Sequence, residues 1–204
     1  MGTTEAPFFA ASIVSLVSRH PFAQMFSNAE LLRTLGAELL LGVFWAVVLR
    51  RRGWSLDCVT TRAAPSDLGH GLGLCLLAYA AAFLASFLAH LLLPGFGHIA
   101  AMTRLGGTVS VELALVMCVV NPVVEEFFYL GFVTNVLLDH RVFAISAGML
   151  ARALVHTYQG PSGFLSMVAV GAVFGIYYAE TRRLWPVVVA HVLNDLMGLL
   201  PMVR

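Results

Sequence analysis

Between Leu68 and Leu93 this chain runs without a single Asp, Glu, Lys or Arg. A helix needs about 20 apolar residues to cross the hydrocarbon core of a bilayer, and this stretch supplies them. Five more segments qualify: about Leu31–Leu49, Val109–Leu138, Val142–Tyr158, Gly163–Ala179 and Leu184–Leu200. Residues 7–18 are apolar but short, and read as an interfacial helix. Composition agrees. Hydrophobic residues make up 59% of the chain and charged residues 11%, against about 25% charged in soluble domains. So few charges cannot cover a surface in water. Within lipid every backbone polar group must be satisfied inside its own segment. The expected fold is therefore all-α, a polytopic transmembrane bundle of about six to seven spans. Residues 1–28 read as an N-terminal interfacial or short membrane segment, and 29–204 as the transmembrane domain.

Net charge is +1, which offers no electrostatic footprint for nucleic acid. All the basic residues are arginine. If the six segments alternate, Arg50, Arg51, Arg52, Arg62, Arg141, Arg182 and Arg183 fall on one side, and Arg19, Arg104 and Arg204 on the other. The positive-inside rule makes the first side cytoplasmic. Cys58, Cys75 and Cys118 are scattered and suggest neither a disulfide framework nor a thiolate metal site. The N-terminus lacks the basic region and cleavage signal of a signal peptide.

Ionisable groups at mid-membrane cost about 2.5–3.5 kcal/mol each on insertion scales and mark functional sites. The last four segments carry Glu125, Glu126, Arg152, His156, His191 and Asp195. Arg152 and His156 are four apart and share a helix face, as do His191 and Asp195. Glu125 and Glu126 are neighbours, so they point about 100° apart and only one can aim at a shared centre. Asn121-Pro122 interrupts the third segment just before them, as a kink or as a helix restart lining a cavity. A carboxylate with two imidazoles supplies a general base, a proton shuttle and an oxyanion donor. That set can hydrolyse an amide with activated water and no covalent intermediate.

Three stretches, "EEFFYLG", "RALVHTYQG" and "GIYYAETRRLWPVVVAHVLND", resemble the three motifs of the CAAX prenyl protease and bacteriocin-processing (CPBP, or Abi) family of glutamic-type intramembrane proteases. The resemblance covers about Asn121–Leu200, and places a catalytic core at 109–200. The family pattern is EExxxR, then FxxxH, then HxxxN or HxxxD. It implies that Glu125 activates water, that His156 holds or polarises that water, and that His191 and Asp195 bind the oxyanion. Glu126, Arg152 and Asn194 would support them. This sequence departs from the pattern twice: Leu130 stands where the family has its arginine, and Arg152 where it has its phenylalanine. Arg152 is expected to supply the missing positive charge from a facing helix.

Other readings compete. "GPSG" at Gly160–Gly163 fits the G-x-S-G of rhomboid serine proteases, with Ser162 and His191 as the pair. Glu125, His156 and His191 could ligate zinc, although no HExxH is present and water activation needs no metal. A transport or peptide-binding immunity protein would also bury Glu and His. The expectation is an intramembrane endopeptidase without a cofactor, in a prokaryotic cytoplasmic (inner) membrane. Its partners would be a peptide or protein substrate and the lipid bilayer, with no nucleic acid.

Overall fold

A computed structural model describes residues 25–51, 53, 59, 62–92, 104–105, 109–157 and 160–199. The N-terminal segment 7–18 lies outside the described residues. Six helices follow one another: α1 (Asn28–Arg51), α2 (Ser66–Leu92), α3 (Val111–Glu126), α4 (Arg141–Val155), α5 (Gly160–Thr181) and α6 (Trp185–Leu199). A π-helical stretch, Phe127–Thr134, continues α3, and a 3-10 turn, Leu138–His140, leads into α4. The all-α class holds, apart from a two-residue parallel bridge between β1 (Met25–Phe26) and β2 (Arg104–Leu105).

Local sequence sets the helix starts. Ser27 and Glu30 form a reciprocal capping box at α1: the Glu30 N–H donates to Ser27 Oγ at 3.3 Å, and the Ser27 N–H to Glu30 Oε2 at 3.0 Å. Ser110 caps α3 through Leu113 N–H at 3.3 Å, while its own N–H donates to Asn28 Oδ1 at 2.9 Å. That last bond ties the starts of α1 and α3 together, so the two helices run parallel. Pro122 lies inside α3 without ending it; there is no helix restart here. The irregularity comes at the π turn, where the Thr134 hydroxyl donates to the Tyr129 carbonyl at 2.9 Å and the Asn135 N–H reaches back to Leu130 O. Such widened turns are frequent at functional sites.

Four helical stretches are long and apolar enough to cross a membrane: Asn28–Arg51, Ser66–Ala89, Val111–Thr134 and Gly163–Thr181. Among the described residues, length and apolarity thus support four of the expected six to seven spans. Helices α4 and α6, at 15 residues each, fall short for identifiable reasons. His156 ends α4 with non-helical dihedrals. The α5–α6 turn folds into the bundle, so α6 starts late: Leu184 is fully buried and Arg182 takes a left-handed φ of 56°. The Arg182 guanidinium lies over the Tyr178 ring at 5.2 Å and bonds Asn135, which holds that turn. The outer faces are lipid-like: Leu40, Phe83 and Val142 are 74%, 73% and 80% exposed. A surface this apolar marks a protein that faces lipid.

One end of the bundle gathers the arginines. Arg141 pairs with Glu180, Arg182 with Asn135, and Arg183 with Asp67 at 2.5 Å. The neighbouring Tyr178 hydroxyl donates to Val59 O at 2.5 Å. Arg50 and Arg51 end α1 at that side, as the alternation of segments requires. Arg52, Arg19 and Arg204 lie outside the described residues.

Close packing between helices rests on glycine, as is usual within membranes. A Cβ at Gly71 would press on Val189 and stand 3.0 Å from the Pro186 carbonyl, whereas one at Gly73 would meet nothing within 4 Å. Gly71→Ala should therefore destabilise the protein by about 1–3 kcal/mol. Gly73→Ala, on the same helix, should be neutral or slightly stabilising. Unfolding of detergent-solubilised protein by increasing dodecyl sulfate checks this; equal shifts for both variants would contradict the packing of α2 on α6.

Candidate active site

Glu126 is the last residue of α3 and is fully buried. Two groups from other helices reach it. Arg152 of α4 places Nη2 at 2.6 and 2.5 Å from its two carboxylate oxygens. His191 of α6 places Nδ1 at 2.6 Å from Oε1. Arg152 is itself 2% exposed and is flanked by the faces of Tyr129 and Phe174, at 4.7 and 5.4 Å from the ring centroids. These rings add cation–π attraction and exclude water. A buried carboxylate is tolerable only when paired and hydrogen-bonded, and Glu126 is both.

Glu125, one residue earlier and so about 100° around the helix, has a different environment. Its side chain is 16% exposed, and its closest cation is Arg152 Nη1 at 3.9 Å. Its Oε2 atom is sealed from solvent and has no hydrogen-bond partner among the described residues. Buried polar atoms are nearly always partnered, so this oxygen has unfilled capacity to accept a proton or a hydrogen bond.

The histidines have defined roles. His156 sits just past the end of α4, with Nδ1 at 2.9 Å from the Arg152 carbonyl. A carbonyl only accepts, so Nδ1 carries the proton and, in the neutral ring, Nε2 the lone pair. His191 donates Nδ1–H to Glu126, which turns Nε2 toward Asp195 Oδ1 at 3.5 Å. Asn121 of α3 is among the groups that act on the Asp195 carboxyl.

Side-chain reach and the late start of α6 bring these groups to one depth in the bundle. His191 lies two turns into a helix that begins within the bundle. Arg152 lies near the far end of α4, but a long helical side chain points back toward its own N-terminus, which brings the guanidinium level with Glu126.

Of the expected site residues, the structure brings together Glu125, Glu126, Arg152, His191 and Asp195, with His156 attached through Arg152. It does not bring in Asn194, whose Oδ1 accepts from Cys75 Sγ at 3.1 Å; this residue locks α6 to α2. His191 is held by Glu126 through Nδ1 at 2.6 Å and faces Asp195 through Nε2 at 3.5 Å. Leu130, at the family's arginine position, is packed in the apolar cluster around Val59 and Phe174. Ser162 lies in the first turn of α5, and its side chain is outside the described residues. No group of three or more His, Cys, Asp or Glu among the described residues is placed as a metal-ligand set. Two residues escaped the sequence reading. Asn121 stands four positions before Glu125, a spacing that puts both on one face and could have revealed it. Glu38, a lone acid inside the first apolar run, is within electrostatic range of Glu125, Asp195 and His191.

Residues 107–197 match the sequence model of the Rce1-like family, described as type II CAAX prenyl endopeptidases. That stretch covers less than half of the chain but contains every residue of the cluster except Glu38. The resemblance to the CAAX protease family read from the three motifs is borne out there. No curated protein and no solved structure matches the chain.

The contact between Glu126 and Arg152 is directly measurable. Arg152→Met should cost about 3–5 kcal/mol, because it strands a buried carboxylate. Adding Glu126→Gln should recover part of that loss, with coupling above about 1 kcal/mol. Unfolding midpoints of the two single variants and the double variant give the cycle; additive losses would mean that the pair is not the tie between α3 and α4.

Proposed function

Proceeding from an Rce1-like stretch that carries the cluster, we propose that this integral membrane protein is an intramembrane endopeptidase. It hydrolyses a peptide bond of a membrane-associated peptide or protein with water activated by Glu125. The Oε2 of Glu125, which accepts no hydrogen bond from the described residues and has only a 3.9 Å ion pair to Arg152, beside a neighbouring carboxylate engaged by Arg152 and His191, is the observation that carries this reading.

Glu125 removes a proton from water, and the resulting hydroxide adds to the scissile carbonyl. His156, with Nδ1–H engaged by the Arg152 carbonyl, presents Nε2 to that water. His191, as the imidazolium between the Glu126 and Asp195 carboxylates, keeps Nδ1–H on Glu126 and directs Nε2–H at the developing oxyanion; preorganised donors of this kind contribute strongly to rate. Glu126 does no bond chemistry: its oxygens are committed to Arg152 and His191, and it sets the position of both. Asp195, one turn along α6 with Oδ1 at 3.5 Å from Nε2, keeps the His191 ring in plane. The protein acts in a prokaryotic inner membrane, with the arginine-rich end of the bundle in the cytoplasm. The Rce1-like match favours neither the Ser162 reading nor a carrier.

Glu125→Gln keeps shape and removes the base. It should abolish release of the C-terminal fragment from a farnesylated, CAAX-ending peptide by the protein reconstituted in liposomes, with an unchanged unfolding midpoint. Product masses follow the reaction, and wild-type turnover by the Gln variant would sink the glutamate mechanism. At position 195, Asp195→Asn should keep substantial activity, since an amide can still hold the ring. Asp195→Ala should lose about 10²–10³ in rate; a near-normal Ala variant would reduce Asp195 to helix packing.

A further inference from the structure

Glu38 lies in the middle of α1, and no step so far uses it. Its neighbours Leu39 and Leu40 face outward at 48% and 74% exposure, while Glu38 Oε2 is sealed and has no hydrogen-bond partner among the described residues. The register of α1 on α3 shows where it points. Asn28 bonds Ser110, 82 positions on. Gly42 lies over Val124, whose Cγ2 is 3.8 Å from where a Gly42 Cβ would stand, and that interval is the same. Trp45 then stacks against Phe132 with ring centroids 4.8 Å apart. Between these contacts Glu38 lies level with Val120 and Asn121, about one turn before Glu125. The charged groups within electrostatic range of it are Glu125 from α3, and Asp195 and His191 from α6.

A buried carboxyl kept only for packing would be paired. Glu38 instead joins two other carboxyls at a site where the guanidinium of Arg152 and the Nδ1–H of His191 are already bound to Glu126. With no donor beside it among the described residues and no access to solvent, the sealed oxygen of Glu38 has nothing to stabilise a negative charge, and a carboxyl in such a place is fit to carry a proton.

We infer that Glu38 is a further catalytic residue, the acid that protonates the leaving amine. The inference rests on Glu125 being the base. Water gives one proton to Glu125, and its oxygen forms the new C–O bond. The C–N bond then breaks as Glu38 passes its proton to the departing nitrogen. The proton on Glu125 returns to Glu38, and both groups are restored.

Two measurements on the full-length protein test this. In the liposome cleavage of the farnesylated peptide, Glu38→Gln should lower kcat by about 10²–10⁴, with little change in KM. It should also remove the alkaline limb of the pH profile while keeping the acid limb. Glu38→Asp, which keeps the acid, should retain part of the rate. Separately, infrared spectra of the substrate-free protein should contain a protonated-carboxyl band that Glu38→Gln abolishes and Glu125→Gln shifts; this arm needs no turnover. Should Glu38→Gln keep kcat within about threefold and an unchanged pH profile while Glu125→Gln is dead, Glu38 is not the acid. A missing infrared band also overturns the inference. Full activity of Glu125→Gln instead overturns the reading of the base, and the acid role with it.

Discussion

Everything in this bundle turns on one buried carboxylate. Glu126 sits without solvent contact where α3, α4 and α6 converge, and it is bearable only because Arg152 and His191 reach it at 2.5–2.6 Å. Removing a charge from water costs several kcal/mol even after relaxation, and a partner recovers that cost only in good geometry. The pair therefore fixes the distance between three helices. It also consumes the hydrogen-bonding capacity of Glu126, which leaves Glu125 as the carboxylate with an oxygen to spare. Two adjacent glutamates acquire opposite environments from a rotation of about 100° on one helix.

The membrane dictates the rest. With the outer faces given over to Leu, Phe and Val, every polar group must be used inside. Hence the short α4 and α6: each stops or starts where a functional side chain must be delivered, not where the bilayer ends. His156 closes α4 as its cap residue, and α6 begins only after the turn Arg182–Leu184 has folded inward. The π turn after Glu126 belongs to the same economy. It widens α3 beside the cluster, and α4 passes close to it at Gly148, where a Cβ would press on Thr134 Oγ1 and lie 3.2 Å from the Tyr129 carbonyl.

Much of this was legible in the sequence. Apolar run length gave all six helices, and the arginines gave their alternation. The identity of the clustered residues followed from the cost of charge in lipid. The compensation of Leu130 by Arg152 could be suspected because one cation disappeared and another appeared a turn before His156. What could not be read was tertiary. Nothing in the motif distinguishes Asn194, which turns to Cys75, from Asp195, which turns inward; that depends on the tilt of α6. The π turn carries no proline or glycine signature of its own beyond Gly131. The shortness of α4 is hidden in a run whose hydropathy continues to its end at Val155. Glu38 was overlooked because it stands outside the motif-bearing half, and only the packing of α1 on α3 brings it to the centre.

In the proposed reaction water attacks the scissile carbonyl directly, with no bond between enzyme and substrate. Cleavage of the farnesylated peptide in the presence of hydroxylamine tests it most directly, because an acyl-enzyme partitions to a hydroxamate and a water mechanism does not. The account predicts that the new C-terminus is entirely a free carboxylate at every hydroxylamine concentration. A hydroxamate product, or an intact-mass adduct on the protein that maps to Ser162, would contradict it.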